Sequence, residues 1–278
     1  MIEILTFMAP AIVMCILLAA ICGYVGIHVV MREVIFIDIA LAQIAALGTS
    51  FAIFWDFDPS DPLTLVISLG FTLLSAFILS GTRRLSSMVP QEAFIGILYA
   101  TGAAAVLLAG DRLPHGSEYV HDLMCGHLLW VNWGEVGIYS LVFIALGAVY
   151  FFLHKKFLEV SNFTKQNGKN GFKNNHLVFW DFVFYALLGI LVTFAVKVAG
   201  VLLVFGFLIV PAVIGTLLSK SFLNRLLVGW AFGVLLSLLG SYFSYSFDFP
   251  TGATVVVTLG LSLFLVALVK GIQLKLQK

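Results

Sequence analysis

Long apolar blocks separated by short polar stretches make up most of the chain. Segments such as LVFIALGAVYFFL (141–153) and TVVVTLGLSLFLVALV (254–269) are apolar on every side, whereas the strands of a membrane barrel alternate apolar with polar residues. Crossing about 30 Å of hydrocarbon takes about 20 residues of helix. The pattern predicts about nine spans, at residues 9–30, 34–55, 63–80, 92–110, 136–153, 177–196, 198–218, 226–246 and 253–270.

Composition agrees with this pattern. Hydrophobic residues form 61% of the chain and charged residues only 10%, which is outside the range of soluble globular proteins. No polar stretch is long enough for a soluble domain, so we predict an all-α, polytopic helical bundle with a single transmembrane domain over 1–278. The block 177–218 is interrupted only by Lys197 and Gly200, and it predicts either two spans or one span with a re-entrant segment.

Charge sets the predicted orientation. With the amino terminus outside, all but two of the 15 lysine and arginine residues fall on the cytoplasmic side, the exceptions being Arg112 and Lys197. Cytoplasmic loops carry such an excess of basic residues. The acidic segments DFDPSDP (56–62) and SFDFPTG (246–252) then become outer turns. We therefore predict a multi-pass protein of a bacterial or archaeal plasma membrane with its carboxyl terminus in the cytoplasm.

Motifs for chemistry within the chain are few. HExxH and GxGD, the signatures of two classes of intramembrane protease, do not occur, and GTSF (48–51) matches only the loose GxSx pattern of a third. A hydrolase would need a histidine beside Ser50 within the bilayer. The chain also lacks GxxxxGK[ST], so uphill transport would depend on ATP hydrolysed by another subunit. Nucleic acid is not an expected partner.

The segment from Lys197 to Arg225 contains Pro211, a proline deep in an apolar run. Proline removes a helix hydrogen bond and favours a kink. One interpretation is an ordinary kinked span whose flanking bases, Lys220 and Arg225, reach the membrane surface. The other is a helix break followed by a short amphipathic helix that lies across the inner face and docks a soluble partner.

Four blocks of the chain form a recognisable series: VVMREVIFIDIALAQIAALG (29–48), VPQEAFIGILYATGA (89–103), VAGVLLVFGFLIVPA (198–212) and SYSFDFPTGATVVV (244–257). In this order they resemble the permease family of ABC importers for zinc, manganese and iron. The resemblance implies a permease homodimer, two cytoplasmic ATPases that bind ATP, and an extracytoplasmic metal-binding protein. It also implies that a divalent metal ion is cargo rather than a bound cofactor, and that Pro211–Arg225 receives the ATPase stroke.

The second span departs from that family. Many relatives read GDALSH there, with Asp and His facing the ion, whereas this chain has DIALAQ (38–43), which places Ile39 and Gln43 at those two positions. Asp38 is one residue early, about 100° around the helix. Asp38 either lines the translocation path or pairs with Arg32 or a neighbouring span. Gln43 either offers its carbonyl oxygen to the ion or makes an interhelical hydrogen bond.

The outer segment 111–135 is a second candidate metal region. A helix here would place Glu118, His121, Asp122 and Cys125 on one face, and His115 and His127 are nearby. These side chains could form an ion funnel or a docking surface. Alternatively the segment is structural, because CGHLL (125–129) matches a family segment that is not a ligand set.

The sequence therefore predicts the permease subunit of an ABC importer of zinc, manganese or iron. The nearest alternative keeps this architecture and carries cobalamin or an iron chelate, and it would be favoured by a wide path without metal ligands. An intramembrane hydrolase is the alternative from a different class.

Overall fold

The computed structural model describes residues 2–59, 61–86, 88–112, 116–167 and 175–276, and these residues contain helices and turns but no strand. Short 3-10 turns at Arg83–Leu85 and Leu128–Trp130 supplement nine helices. The predicted all-α class is confirmed. The helices are α1 (Ile2–Met31), α2 (Ile37–Phe54), α3 (Pro62–Thr82), α4 (Gln91–Gly110), α5 (Gly116–Cys125), α6 (Trp133–Asn167), α7 (Asn175–Leu218), α8 (Phe222–Phe247) and α9 (Thr251–Leu276).

Eight of these helices, all except α5, are long and apolar enough to cross a membrane within the described residues. The prediction was about nine, and the difference lies in α7, which covers both the 177–196 and 198–218 blocks. A straight helix of its 44 residues would be about 66 Å long. It is interrupted at Gly200, where φ is 77° and ψ is 160°, a conformation essentially restricted to glycine. The two predicted spans are thus the two arms of one interrupted helix.

The predicted acidic outer turns separate helices as expected. Asp61 caps α3, because its side chain accepts a hydrogen bond from the Leu63 N–H at 2.8 Å, and Pro62 occupies the first helical position. At the other turn α8 ends at Asp248, whose φ of 54° is left-handed, and α9 begins just after Pro250. Local sequence chemistry is enough to explain both boundaries.

The helices cluster into two compact units. Unit 1 comprises Met1–Val30, Cys125–Gly147 and Val198–Lys278. Unit 2 comprises Met31–Met124 and Ala148–Lys197. The single domain predicted from the sequence stays a prediction.

In unit 1, glycines allow close contact between α1, the second arm of α7 and α8. A Cβ on Gly26 of α1 would overlap the Leu208 carbonyl oxygen of α7, and one on Gly233 of α8 would lie 3.2 Å from the Ala19 Cβ. The Trp230 indole of α8 donates to the Ala20 carbonyl of α1 at 2.9 Å. Small residues thus bring the helix backbones together, as is common in membrane bundles.

In unit 2, α2 packs between α3 and α4. A Cβ on Gly48 of α2 would lie 2.8 Å from the Ser68 Cα of α3, and one on Gly102 of α4 would lie 3.2 Å from the Gln43 Cβ of α2. The first arm of α7 packs on α3, where the Thr72 and Thr193 hydroxyls are 3.3 Å apart. These contacts bury most of α2.

Candidate translocation site

Gln43 lies on the face of α2 that is otherwise only partly covered. Ile39 and Leu47, one turn before and one turn after it, are half-buried. Gln43 itself is only 1% exposed, and Gly102 of α4 approaches its Cβ. Its amide is therefore enclosed in a region where the neighbouring turns of α2 are partly open.

The Gln43 amide has no hydrogen-bond partner within the described residues, at either Nε2 or Oε1. Leaving such a group buried costs about 1–3 kcal/mol. The interhelical hydrogen bond that the sequence left as an alternative is thus not formed in this part of the chain. The oxygen stays available for a ligand.

Asp38 lies in the first turn of α2 and is only 2% exposed. The Ile39 N–H donates to its carboxylate, and the positive end of the helix dipole stabilises a carboxylate at this position. Its Oδ1 has no hydrogen-bond partner among the described residues. The alternative in which Asp38 pairs with Arg32 is wrong, because Arg32 pairs with Asp181.

Glu92 of α4 joins this region, although sequence reasoning did not single it out. The Ile35 N–H donates to its Oε1, and the Phe36 N–H also donates to its carboxylate. Phe36, the residue preceding α2, provides no side-chain cap of its own. Glu92 therefore caps α2 from another helix. The only signal in the sequence is an acidic residue within the second of the four family blocks.

A buried ion-pair network lies beside the start of α2. Asp181 of α7 pairs with Arg32 through Oδ1 and lies 3.1 Å from the Arg83 Nε through Oδ2. The Arg32 and Asp181 side chains are fully buried and that of Arg83 is 4% exposed. These three charged residues come from the ends of different helices that the predicted orientation places on the cytoplasmic side.

Neighbouring polar groups complete the network. The Arg32 Nε donates to the Ser161 hydroxyl at 3.0 Å and its Nη2 to the Phe157 carbonyl at 3.4 Å, while the guanidinium carbon lies 4.0 Å from the Phe184 ring centroid. Burial lowers the pKa of Arg32 from its usual value, and the adjacent Asp181 carboxylate counteracts this lowering. Arginine nonetheless keeps its proton. Arg32 is therefore a buried cation held by several partners.

Arg83 extends the network to α4. Its Nη1 donates to the Gln91 side-chain oxygen. The Gln91 amide nitrogen in turn donates to the Leu79 carbonyl of α3 at 3.1 Å. Gln91 and Glu92 are adjacent residues, so the ion-pair network and the cap of α2 meet in the first turn of α4.

The predicted coupling segment has a different form from the one expected. Pro211 lies inside α7, which continues to Leu218, and residues 219–221 form a turn before α8. The break at Pro211, one of the two interpretations of this segment, is not formed; α7 is interrupted at Gly200, where the sequence also placed the boundary between the 177–196 and 198–218 blocks. A separate amphipathic helix is not formed between α7 and α8.

The α7–α8 turn is nevertheless tightly built. The Arg225 Nε donates to the Ser219 carbonyl at 3.1 Å, and a Cβ on Gly215 would overlap the Arg225 carbonyl oxygen. Lys220 is exposed, whereas Pro211 is buried and its carbonyl oxygen would lie 2.9 Å from a Cβ on Gly229. Of the three predicted coupling residues, Lys220 and Arg225 thus lie at the turn, whereas Pro211 lies about two helical turns before it and packs against α8.

The outer segment shows structural contacts. His121 and Asp122 of α5 form an exposed pair with 3.6 Å between Nδ1 and Oδ1, while the His127 N–H donates to the Val198 carbonyl at 3.0 Å. Gly126, with a φ of 68°, packs against Ala199. No group of three His, Cys, Asp or Glu residues that could hold a metal occurs in the described part of the chain. His115 and the Glu118 side chain lie outside that part.

The profile of the ABC 3 transport family matches residues 4–271, nearly the whole chain. The chain belongs to the ABC 3 transport family. The resemblance stated from the four sequence blocks is confirmed, and so is the prediction that the chain is a multi-pass transport permease.

Individual relatives share about a quarter of their residues with this chain. The manganese transport system membrane protein MntB of Synechocystis is 28% identical over 200 residues, which are 72% of this chain and 62% of that relative. The manganese import system permease protein ScaB of Streptococcus gordonii is 25% identical over 267 residues, covering 94% of this chain and 90% of the relative.

Two solved structures share the fold. The structure of PsaBC from Streptococcus pneumoniae in complex with Fab matches with a TM-score of 0.78 and 21% identity, covering 100% of this chain and 98% of that chain. An inward-facing metal-chelate type ABC transporter matches with a TM-score of 0.68 and 19% identity, covering 93% and 85% of the two chains.

Proposed function

We propose that this chain is the membrane subunit of an ATP-driven importer of divalent transition metals, with manganese as the preferred ion. The observation that carries the proposal is the presence of two buried polar side chains on α2: Gln43 has an amide without a hydrogen-bond partner in the described residues, and Asp38 has one such carboxylate oxygen. They lie about 140° apart around the helix axis, so they would contact the ion at different points of its path. Ionisable residues within membrane spans commonly mark ion pathways. Both residues lie on the helix that contains the family's ion-facing positions by resemblance.

The ligand chemistry supports manganese over zinc. Asp38 and Gln43 offer oxygen atoms, which suit hard cations such as Mn²⁺, whereas thiolate and imidazole ligands favour zinc. The names of the two relatives above also refer to manganese. Zinc and iron remain within the proposed substrate class, with lower rates of uptake.

The partners and orientation follow from the same family. We propose a homodimer of this chain in the lipid bilayer, joined by two cytoplasmic ATPases and supplied by an extracytoplasmic metal-binding protein. The amino terminus is outside and the carboxyl terminus is in the cytoplasm. The turn between α7 and α8 faces the ATPase, since it is compact and presents the exposed Lys220, and ATP-driven closure there changes access to the path.

Transport by the reconstituted complex tests this function. In proteoliposomes, we expect ATP-dependent uptake of Mn²⁺ by the wild type, with Gln43→Leu and Asp38→Asn each lowering the initial rate by at least about tenfold. Gln273→Leu and Asp56→Asn, which alter exposed residues of the same types outside both candidate metal regions, serve as matched controls.

The outcomes separate the alternatives. Wild-type uptake of cobalamin or an iron chelate, without uptake of free Mn²⁺, would replace the proposed substrate class. Unchanged Mn²⁺ uptake by both α2 variants would remove Asp38 and Gln43 from the path. Substrate cleavage that depends on Ser50 would favour the hydrolase.

A further inference from the structure

The contacts around the start of α2 form a closed circuit, which we call the α2 clamp and define as Arg32, Arg83, Gln91, Glu92 and Asp181. From Arg32 the circuit passes to Asp181 and then to Arg83. From Arg83 it continues to Gln91. Glu92, adjacent to Gln91, accepts a hydrogen bond from the Ile35 N–H. Ile35 is three residues after Arg32, so the circuit closes there.

The clamp is well isolated from solvent at its centre. Arg32 and Asp181 are fully buried, and Arg83 and Gln91 are 3% and 5% exposed. In such surroundings a hydrogen-bonded charge pair is strongly directional, and breaking one link leaves a buried group without its partner. The links therefore constrain geometry as well as holding helices together.

The clamp holds both ends of the short segment 32–36, which leads directly into α2: Asp181 holds it at Arg32, and Glu92 holds it at Ile35 and Phe36. Glu33 has a left-handed φ of 57°, so this segment is a specific turn rather than an extension of either helix. Asp38 is in the first turn of α2, and Gln43 follows within the next two turns. Because a helix transmits the position of its first turn to the residues above it, a shift of segment 32–36 moves both side chains.

We propose that Asp181 and Glu92 are positioning residues for the transported ion, holding the start of α2 so that the Asp38 and Gln43 oxygens, which lie on different faces of the helix, keep fixed positions along the path. This inference rests on the proposed function. Neither residue contacts the ion in this scheme: Asp181 acts through the two arginines, and Glu92 acts through the N–H groups of Ile35 and Phe36. Partners that orient metal ligands typically change metal affinity by about 10–100-fold when removed.

Variants of Glu92 show whether it acts through its negative charge or through its hydrogen bonds to the start of α2. Glu92→Gln loses the negative charge but keeps a side-chain oxygen that can accept from the Ile35 N–H. Glu92→Leu loses both. We expect Glu92→Leu to raise the KM for Mn²⁺ uptake by about tenfold with little change in maximal rate, and Glu92→Gln to restore most of the affinity.

Gln91→Leu tests the contact between Arg83 and α4. It removes the link from Arg83 to α4 without leaving an unbalanced charge, so the protein should fold even if Asp181→Asn does not. We expect the same rise in KM, while Asp181→Glu, which keeps the charge, gives a smaller one. Glu159→Gln is the matched control, because Glu159 is an exposed acid that pairs with Lys156 at 3.7 Å, and its KM should equal that of the wild type.

Hydrogen exchange of the backbone amides of residues 35–38 supplies a second measurement that needs no transport. We expect faster exchange in Glu92→Leu and Gln91→Leu than in the wild type and Glu159→Gln. Equal KM values and equal exchange in all variants would overturn the clamp. If Glu92→Gln is as impaired in KM as Glu92→Leu, Glu92 acts through its charge and the positioning role is wrong. Absence of Mn²⁺ uptake by the wild type would instead overturn the proposed function and the role in transport, and altered exchange would then show only that the clamp holds α2.

Discussion

Arg32 and Gln43 are both buried polar side chains of unit 2, yet their surroundings differ. The Arg32 guanidinium contacts a carboxylate, a hydroxyl, a carbonyl and an aromatic ring. The Gln43 amide has no hydrogen-bond partner among the described residues. A buried charge is retained only when it is paired, because its desolvation is otherwise too costly. A buried amide is neutral, so its lower cost can be tolerated where a ligand oxygen is useful. Arg32 thus has a structural role, whereas the role proposed for Gln43 is functional.

The largest effect should come from removing the shared carboxylate. Asp181→Asn leaves two buried guanidinium groups without a counter-charge, and we expect the free energy of unfolding to fall by about 3–5 kcal/mol. Thermal unfolding of the detergent-purified protein measures this loss. Glu159→Gln, which breaks an exposed pair, should change stability by less than about 1 kcal/mol. Equal losses of unfolding free energy in the two variants would show that the buried network stabilises the protein no more than an exposed ion pair does.

Removing a neutral partner of the buried cation should have an intermediate effect. Ser161→Ala deletes the hydroxyl that accepts from the Arg32 Nε at 3.0 Å, and hydrogen bonds to charged groups contribute about 1.5–3 kcal/mol. The same unfolding measurement applies. Ser262→Ala is the control, since the Ser262 hydroxyl donates only to the Leu259 carbonyl of its own helix. An effect of Ser161→Ala no greater than the control would mean that Arg32 is satisfied without it.

Gln43→Leu should change stability in the opposite direction. The substitution replaces an unpartnered buried amide with an apolar side chain of similar size, so we expect the free energy of unfolding to rise by about 1 kcal/mol while Mn²⁺ uptake falls. A variant that is more stable but transports less Mn²⁺ would show that Gln43, unlike Arg32, is not retained for stability. A destabilised Gln43→Leu variant would indicate that the amide has a structural partner.

The smallest effect is expected in the outer segment. His121 is 70% exposed at its side chain and pairs only loosely with Asp122, so His121→Asn should alter the free energy of unfolding by less than about 0.5 kcal/mol and leave Mn²⁺ uptake within about twofold of the wild type. Uptake rates at limiting Mn²⁺ are the relevant measurement. A tenfold loss of Mn²⁺ uptake would instead support the interpretation of segment 111–135 as an ion funnel.

Residue patterns predicted the fold class and singled out two residues of the candidate site. The DIALAQ segment drew attention to Asp38 and Gln43 because polar residues are rare in an apolar span, and both are buried in the structure. Glu92, Asp181 and Ser161 could not be assigned from the sequence. Their roles depend on partners up to 149 positions away, and nothing local distinguishes a paired carboxylate from an unpaired one.

By itself the sequence determined that this protein is a bundle of membrane helices, because a backbone in hydrocarbon must satisfy its own hydrogen bonds. It also determined the family, through four ordered blocks. Only the tertiary structure decided that Arg32 pairs with Asp181 rather than Asp38, that α7 continues through Pro211 to Leu218, and that Gln43 is left without a partner in the described residues. Helix formation depends on neighbouring residues, whereas the pairing of buried polar groups depends on which distant helix ends the fold brings together.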